Sequence, residues 1–102
     1  MEIDPGTRIR VYQELSHIIR RELPARFTGV FEQYSLASSD VDWDRNNHHI
    51  VRASIQGRIV VNVTVDTLKK KCDFQTFPPV KELEPVREYI FQRLHDIFED
   101  DT

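Results

Sequence analysis

The stretch His48–Leu68, HHIVRASIQGRIVVNVTVDTL, is the one long run rich in β-branched residues, and the rest of the chain is read outward from it. Val51, Ala53 and Ile55 alternate on one side, and Ile59, Val61, Val63 and Val65 alternate after Gln56-Gly57. A period of two buries one face of a ribbon and turns the other, here Arg52, Ser54, Asn62 and Thr64, toward solvent. A two-residue turn would pair Ile55 with Arg58 and place an arginine in the core. Pairing Ile55 with Ile59 through the three-residue loop Gln56-Gly57-Arg58 keeps both apolar residues inside, and that register is expected. A hairpin alone is marginal in water, so other elements must cover its apolar face.

Upstream, a helix is expected from about Thr7 to Leu23, capped by Asp4-Pro5 or by Thr7. Val11, Tyr12, Leu15, Ile18, Ile19 and Leu23 recur at helical spacing on one arc. Arg10, Glu14, His17 and Arg21 form a charged stripe on the opposite side, and Pro24 is expected to end the helix. The arginines 10, 20, 21 and 26 read as a solvated helix face. Arg26–Leu36 (RFTGVFEQYSL) reads as a first strand, apolar on both sides, with Gly29 marking a bulge or a close backbone approach. Ala37–Asn47 reads as a polar loop.

Downstream, Lys69–Val80 (KKKCDFQTFPPV) reads as a connector, stiffened by its proline pair. A last helix runs from about Glu84 or Pro85 to Glu99, with Val86, Ile90, Leu94, Ile97 and Phe98 on its apolar arc. The expected fold class is therefore α+β: helix, three-stranded antiparallel sheet, helix, with both helices on one face of the sheet. The open face would carry Ile50, Arg52, Ser54, Val60, Asn62 and Thr64.

A chain of 102 residues makes one α-β-β-β-α domain, residues 1–102, with room for a core that needs no staple. With 39% hydrophobic and 30% charged residues it has the balance of a globular protein, not of a disordered one. Its formal charge of −3 is uneven: residues 1–71 carry 11 Lys and Arg against 9 Asp and Glu, residues 72–102 carry 3 against 8. That acidic final third argues against a polyanion-binding protein. Cys72 is the only cysteine, so no internal disulfide forms and an intracellular, cytoplasmic location is expected. No apolar stretch approaches the length of a membrane span, and the start MEIDPG has no signal-peptide character.

The chemistry-bearing clusters weigh against catalysis. Asp40, Asp42 and Asp44 alternate like the opening of a calcium loop, but Arg45 stands where glycine is needed and Val51 where the bidentate glutamate is needed. His48 and His49 point to opposite faces of an extended chain and cannot share one ion. Cys72 follows three lysines that would lower its pKa, yet no histidine partners it in a recognisable signature. Neither cofactor nor metal is expected, and no enzyme. Phe74, Phe77 and the prolines read as a cover over one end of the core.

The order helix, three strands, helix is similar to that of double-stranded RNA-binding domains, whose basic helix start Lys69-Lys70-Lys71 resembles. The glycine pattern of that family is missing, and the chain is assigned to no family. Two functions follow as expectations. The first is an interaction or regulatory module that binds a protein partner, or itself as a homodimer, through Tyr34, Ile50, Arg52, Ser54, Val60, Asn62 and Thr64. The second is a nucleic-acid-binding domain using Arg52, Arg58, Lys69, Lys70 and Lys71. The lysine run should lie at the surface where the last strand exits, close to Asp73, Asp96 and Glu99, whose carboxylates would mask it.

Overall fold

The computed structural model describes residues 5–100, and Asp4, the first of the expected helix caps, lies outside them. The fold is α+β, but the antiparallel sheet has four strands, not three, in the order β1-β2-β3-β4. The strands are β1 (Ser38–Trp43), β2 (Ile50–Gln56), β3 (Val60–Asp66) and β4 (Lys71–Phe77). Helix α1 (Pro5–His17) precedes them and helix α4 (Glu84–Asp100) follows. The core contains Val11 and Leu15 of α1, Ile19 just after it, Val51, Ile55, Val61, Val63 and Val65 of the sheet, and Val86, Ile90 and Leu94 of α4. Tyr12, expected in the same core, is half-buried at its margin.

The segment read as a first strand is helical. After α1 the chain makes a π-turn (Ile18–Glu22), then α2 (Leu23–Arg26) and α3 (Thr28–Gln33). Phe27, Val30, Phe31 and Tyr34 stand at i, i+3, i+4 and i+7, so the apolar residues that gave poor strand alternation form one helical stripe. Pro24 does not end the helical run. It occupies the first turn of α2, directly after the π-turn, with Glu22 and Leu23 helical before it. The break falls three residues later, at Phe27, whose φ of −120° and ψ of 43° leave the helical region. Helix α3 closes with Ser35 in the left-handed region (φ 52°), Ser35 N donating to the Glu32 carbonyl and Leu36 N to the Phe31 carbonyl. This paired closure satisfies the carbonyls that a helix end exposes.

The two unexpected strands come from segments read as loops. In β1, Ser39, Val41 and Trp43 share the core side while Asp40 and Asp42 point away. In β4, Cys72, Phe74 and Thr76 are half-buried and Lys71, Asp73, Gln75 and Phe77 are exposed. Both are edge strands with few apolar residues, so their alternation is carried mostly by polar side chains.

The central hairpin has a three-residue loop, but not in the expected register. Ile55 pairs with Val61 and Gln56 with Val60, leaving Gly57-Arg58-Ile59 as the loop. Ile59 is buried, folded beneath the turn. The shift follows from docking against the end of α3, where Arg58 N donates to the Tyr34 carbonyl at 2.7 Å. A side chain at Gly57 would stand 2.6 Å from that carbonyl oxygen and nearer still to the carbonyl of Ser35. The close approach requiring glycine is thus at Gly57. Gly29 lies in α3 with nothing near the position of a side chain.

Candidate functional site

The register builds the face of the sheet turned away from the core. Asp42, Arg52, Thr64 and Asp73 lie side by side across the four strands, and the next row is Asp40, Ser54, Asn62 and Gln75. All of these but Asp73, together with the β1–β2 turn, line a shallow concavity of about 620 Å³, and Asp73 stands beside it at the β4 end of its row. Ile50 and Val60, also on this face, are half-buried at its opposite ends, beside Asp66 and Phe77. The centre of the face is therefore polar, and its apolar residues lie at the margins.

Arg52 is the cation at the centre of this face, and it is held in place. Its Nη2 lies 2.7 Å from Asp44 Oδ2. Asp44 in turn accepts the backbone amides of Asn46 (2.8 Å) and Asn47 (2.9 Å), an Asx-type turn that closes β1 toward β2. Those two amides, and then Arg52, hold the Asp44 carboxyl below its ordinary range. Asp44 is consumed in building the turn, whereas Asp40 and Asp42 remain on the open face. Among the described residues no three His, Cys, Asp or Glu groups converge as metal ligands do.

Of the residues expected to contact a partner, Ile50, Arg52, Ser54, Val60, Asn62 and Thr64 share this face, but Tyr34 does not. It follows α3, packs against the core margin and donates its hydroxyl to Glu82 Oε2 at 3.1 Å. The basic residues are also separated. Arg58 sits in the β2–β3 turn and the lysines 69–71 in and after the β3–β4 turn, at opposite ends of a seven-residue strand. Such a strand spans roughly 20 Å. Lys69, Lys70 and Lys71 are exposed, as their charge requires. Of the carboxylates expected to mask them, Asp96 Oδ1 accepts from Gln92 and Glu99 lies 3.1 Å from His95, while Asp73 stands on the open face opposite Thr64; Asp100 lies 3.3 Å from Arg10. Among the described residues none of the three lysines forms an ion pair with a carboxylate. Asp101 lies outside the described residues.

Cys72 faces the core side of β4, and burial, then the neighbouring Asp73, pushes its thiol up to about 12. The three preceding lysines do not activate it: Lys70 shares a concavity with Cys72, but burial outweighs the charge nearby. A thiol so protonated is a poor nucleophile. His49 lies 3.7 Å from Asp66 and His48 is exposed beside Trp43.

A second polar cluster escaped the sequence reading. Arg93 of α4 reaches Glu22 of the π-turn (2.6 Å) and Glu14 of α1, and Tyr89 donates its hydroxyl to Glu22. Arg26 stacks over the Tyr89 ring at 4.7 Å. Glu14 belonged to the stripe read as solvated; the π-turn brings Glu22 beside it so that one guanidinium clamps α1 to α4. The Tyr89 hydroxyl and Arg93 hold the Glu22 carboxyl below its ordinary value of 4.5, against the opposing effect of burial.

A carboxyl with a depressed folded-state pKa stabilises above its ordinary pKa, and this contribution is lost as pH falls through the folded value. Glu22→Gln should therefore lower stability by about 1 kcal/mol at pH 7. The gap to the parent should narrow as pH falls below the ordinary carboxyl value of 4.5. Urea unfolding across pH 3–7 checks this; a gap that does not narrow on acidification would mean that the clamp is not ionic.

Comparison with protein-family models, with curated proteins and with solved structures gave no match.

Proposed function

We propose that this chain is a non-enzymatic interaction module whose open sheet face receives a basic segment of a protein partner. The observation carrying this reading is the polar concavity in which Asp40 and Asp42 flank hydrogen-bonding Ser54, Asn62, Thr64 and Gln75, with Asp73 beside it at the end of the same row. Asp44 neutralises Arg52, and Asp40, Asp42 and the adjacent Asp73 outnumber Arg45, the other cation of the lining, so the surface presents net negative charge. Charge complementarity of this kind steers a partner and fixes its register more than it adds affinity. Ile50 and Val60 at the margins supply the apolar contacts that such a face otherwise lacks. The separation of Arg58 from the lysine run, with carboxylates on the face between them, weighs against a nucleic-acid surface.

The test uses three labelled probes: a Lys/Arg-rich peptide, an Asp/Glu-rich peptide and a generic RNA duplex. Fluorescence anisotropy should show the basic peptide binding best, with affinity that falls as salt rises. Replacing Asp40, Asp42 and Asp73 together with asparagine should weaken it about tenfold. Preference for the RNA duplex, with a steep salt dependence, would overturn the proposal in favour of phosphate recognition.

A further inference from the structure

The two edges of the sheet are not equivalent. On β1 the Tyr12 hydroxyl donates to the Val41 carbonyl at 3.2 Å, and the Trp43 amide donates to Asp42 Oδ1 at 2.8 Å. The outward carbonyl of Val41 and the outward amide of Trp43 are thereby engaged by side chains, and the Trp43 ring stacks on Tyr12 with centroids 4.9 Å apart. This edge is partly closed.

On β4 the register decides which groups point outward. Outward groups at Val41 and Trp43 make Asp40 and Asp42 the residues bonded to β2. Alternation across β2 and β3 then bonds Asn62 and Thr64 to Gln75 and Asp73. The amides and carbonyls of Cys72, Phe74 and Thr76 therefore face away from the sheet, and none has a hydrogen-bond partner among the described residues. Beside them lies a groove lined by Phe74, Thr76, Val80, Leu83 and Arg87, with the 52% exposed ring of Phe77 at its end. An open row of backbone groups along such a groove is a template for an added strand.

We infer that the occupant is β4 of a second copy, paired antiparallel about a two-fold axis at Phe74. The strand is self-complementary in that register and in no other that uses all seven residues. Phe74 meets its counterpart and Cys72 meets Thr76, joining outward backbone groups to outward backbone groups. Asp73 falls opposite Gln75, and Lys71 opposite Phe77, whose exposed ring is covered by the lysine stem. Moving the axis to Asp73 would set two aspartates face to face, which cross-strand pairing disfavours. The result is a continuous eight-stranded sheet. Because the two-fold runs perpendicular to it, both open faces lie on one side and all the helices on the other.

Gln75 gives a test in both directions, because it is exposed and its change leaves the core of the single copy untouched. Gln75→Lys places an ammonium opposite Asp73 of the other copy, twice per dimer; Gln75→Asp places a carboxylate there. Sedimentation equilibrium should show the parent dimerising, Gln75→Lys dimerising about 2- to 10-fold more tightly and Gln75→Asp weaker by a similar factor. The melting temperature of the dilute single copy should stay unchanged in both variants. A parent that remains monomeric up to about 1 mM would overturn the inference. So would a dimer whose affinity neither substitution alters, since it would be held by another surface.

Discussion

Leu94→Ala is expected to destabilise the protein by about 2–5 kcal/mol. Leu94 is 1% exposed on the apolar arc of α4, in the same core as Ile90 and the core-side valines of the sheet. Removing its isobutyl group loses transfer free energy and leaves a cavity that both a helix and a sheet must relax to fill. For a domain of this size each kcal/mol corresponds to a melting shift of about 4–8 °C. The loss thus approaches the whole stability of a marginal domain. Leu94→Met, which nearly conserves volume, should cost less than about 1.5 kcal/mol. Urea denaturation of both variants checks the pair. Equal costs would mean that α4 is not packed through this residue.

Gly57→Ala should be the second large effect, and its cause is different. An alanine methyl at this position meets the backbone carbonyls of Tyr34 and Ser35, which cannot move aside as the end of a flexible side chain can. Relief requires pulling the β2–β3 turn away from the end of α3, breaking the Arg58-to-Tyr34 hydrogen bond and lifting Ile59 from the core. A cost of about 3 kcal/mol, at the upper end for overpacking, is expected. Gly29→Ala is the matched control: it lies inside α3 with open space around it, so the change should stabilise by about 0.5–1 kcal/mol. Opposite signs at the two glycines, measured by thermal unfolding, would establish that the turn is docked on α3. Destabilisation at both would contradict the helical assignment of Thr28–Gln33.

The central hairpin and the last helix were legible because each carries a strong period. Val51 to Val65 alternate without a break outside the turn, and Val86 to Phe98 recur at helical spacing, so tertiary context had nothing to override. Arg26–Leu36 misled because Phe, Val and Tyr favour strands intrinsically, while the spacing of Phe27, Val30, Phe31 and Tyr34 suits a helix. Packing decided for the spacing. The edge strands were hidden for a related reason: one apolar face on a half-exposed strand leaves only Val41 and Trp43, or Cys72 and Phe74, as signal. Missing them also hid the charge of the open face, since Asp40, Asp42 and Asp73 reach it only once β1 and β4 exist. Arg52, Ser54, Asn62 and Thr64 were placed correctly by the parity of the central hairpin alone. The pairing of Glu14 and Glu22 with Arg93 had no local signal, as it joins residues 79 and 71 positions apart with the help of a π-turn.

Amide chemical-shift mapping tests, residue by residue, whether the open face is the surface that meets a basic partner. Titrating the Lys/Arg-rich peptide into isotope-labelled protein should shift the amides of Ser54, Asn62, Thr64 and Gln75. Those of Gln92 and His95 on the exposed side of α4 should stay in place. Shifts confined to α4, or to the turn carrying Lys69 and Lys70, would contradict the account.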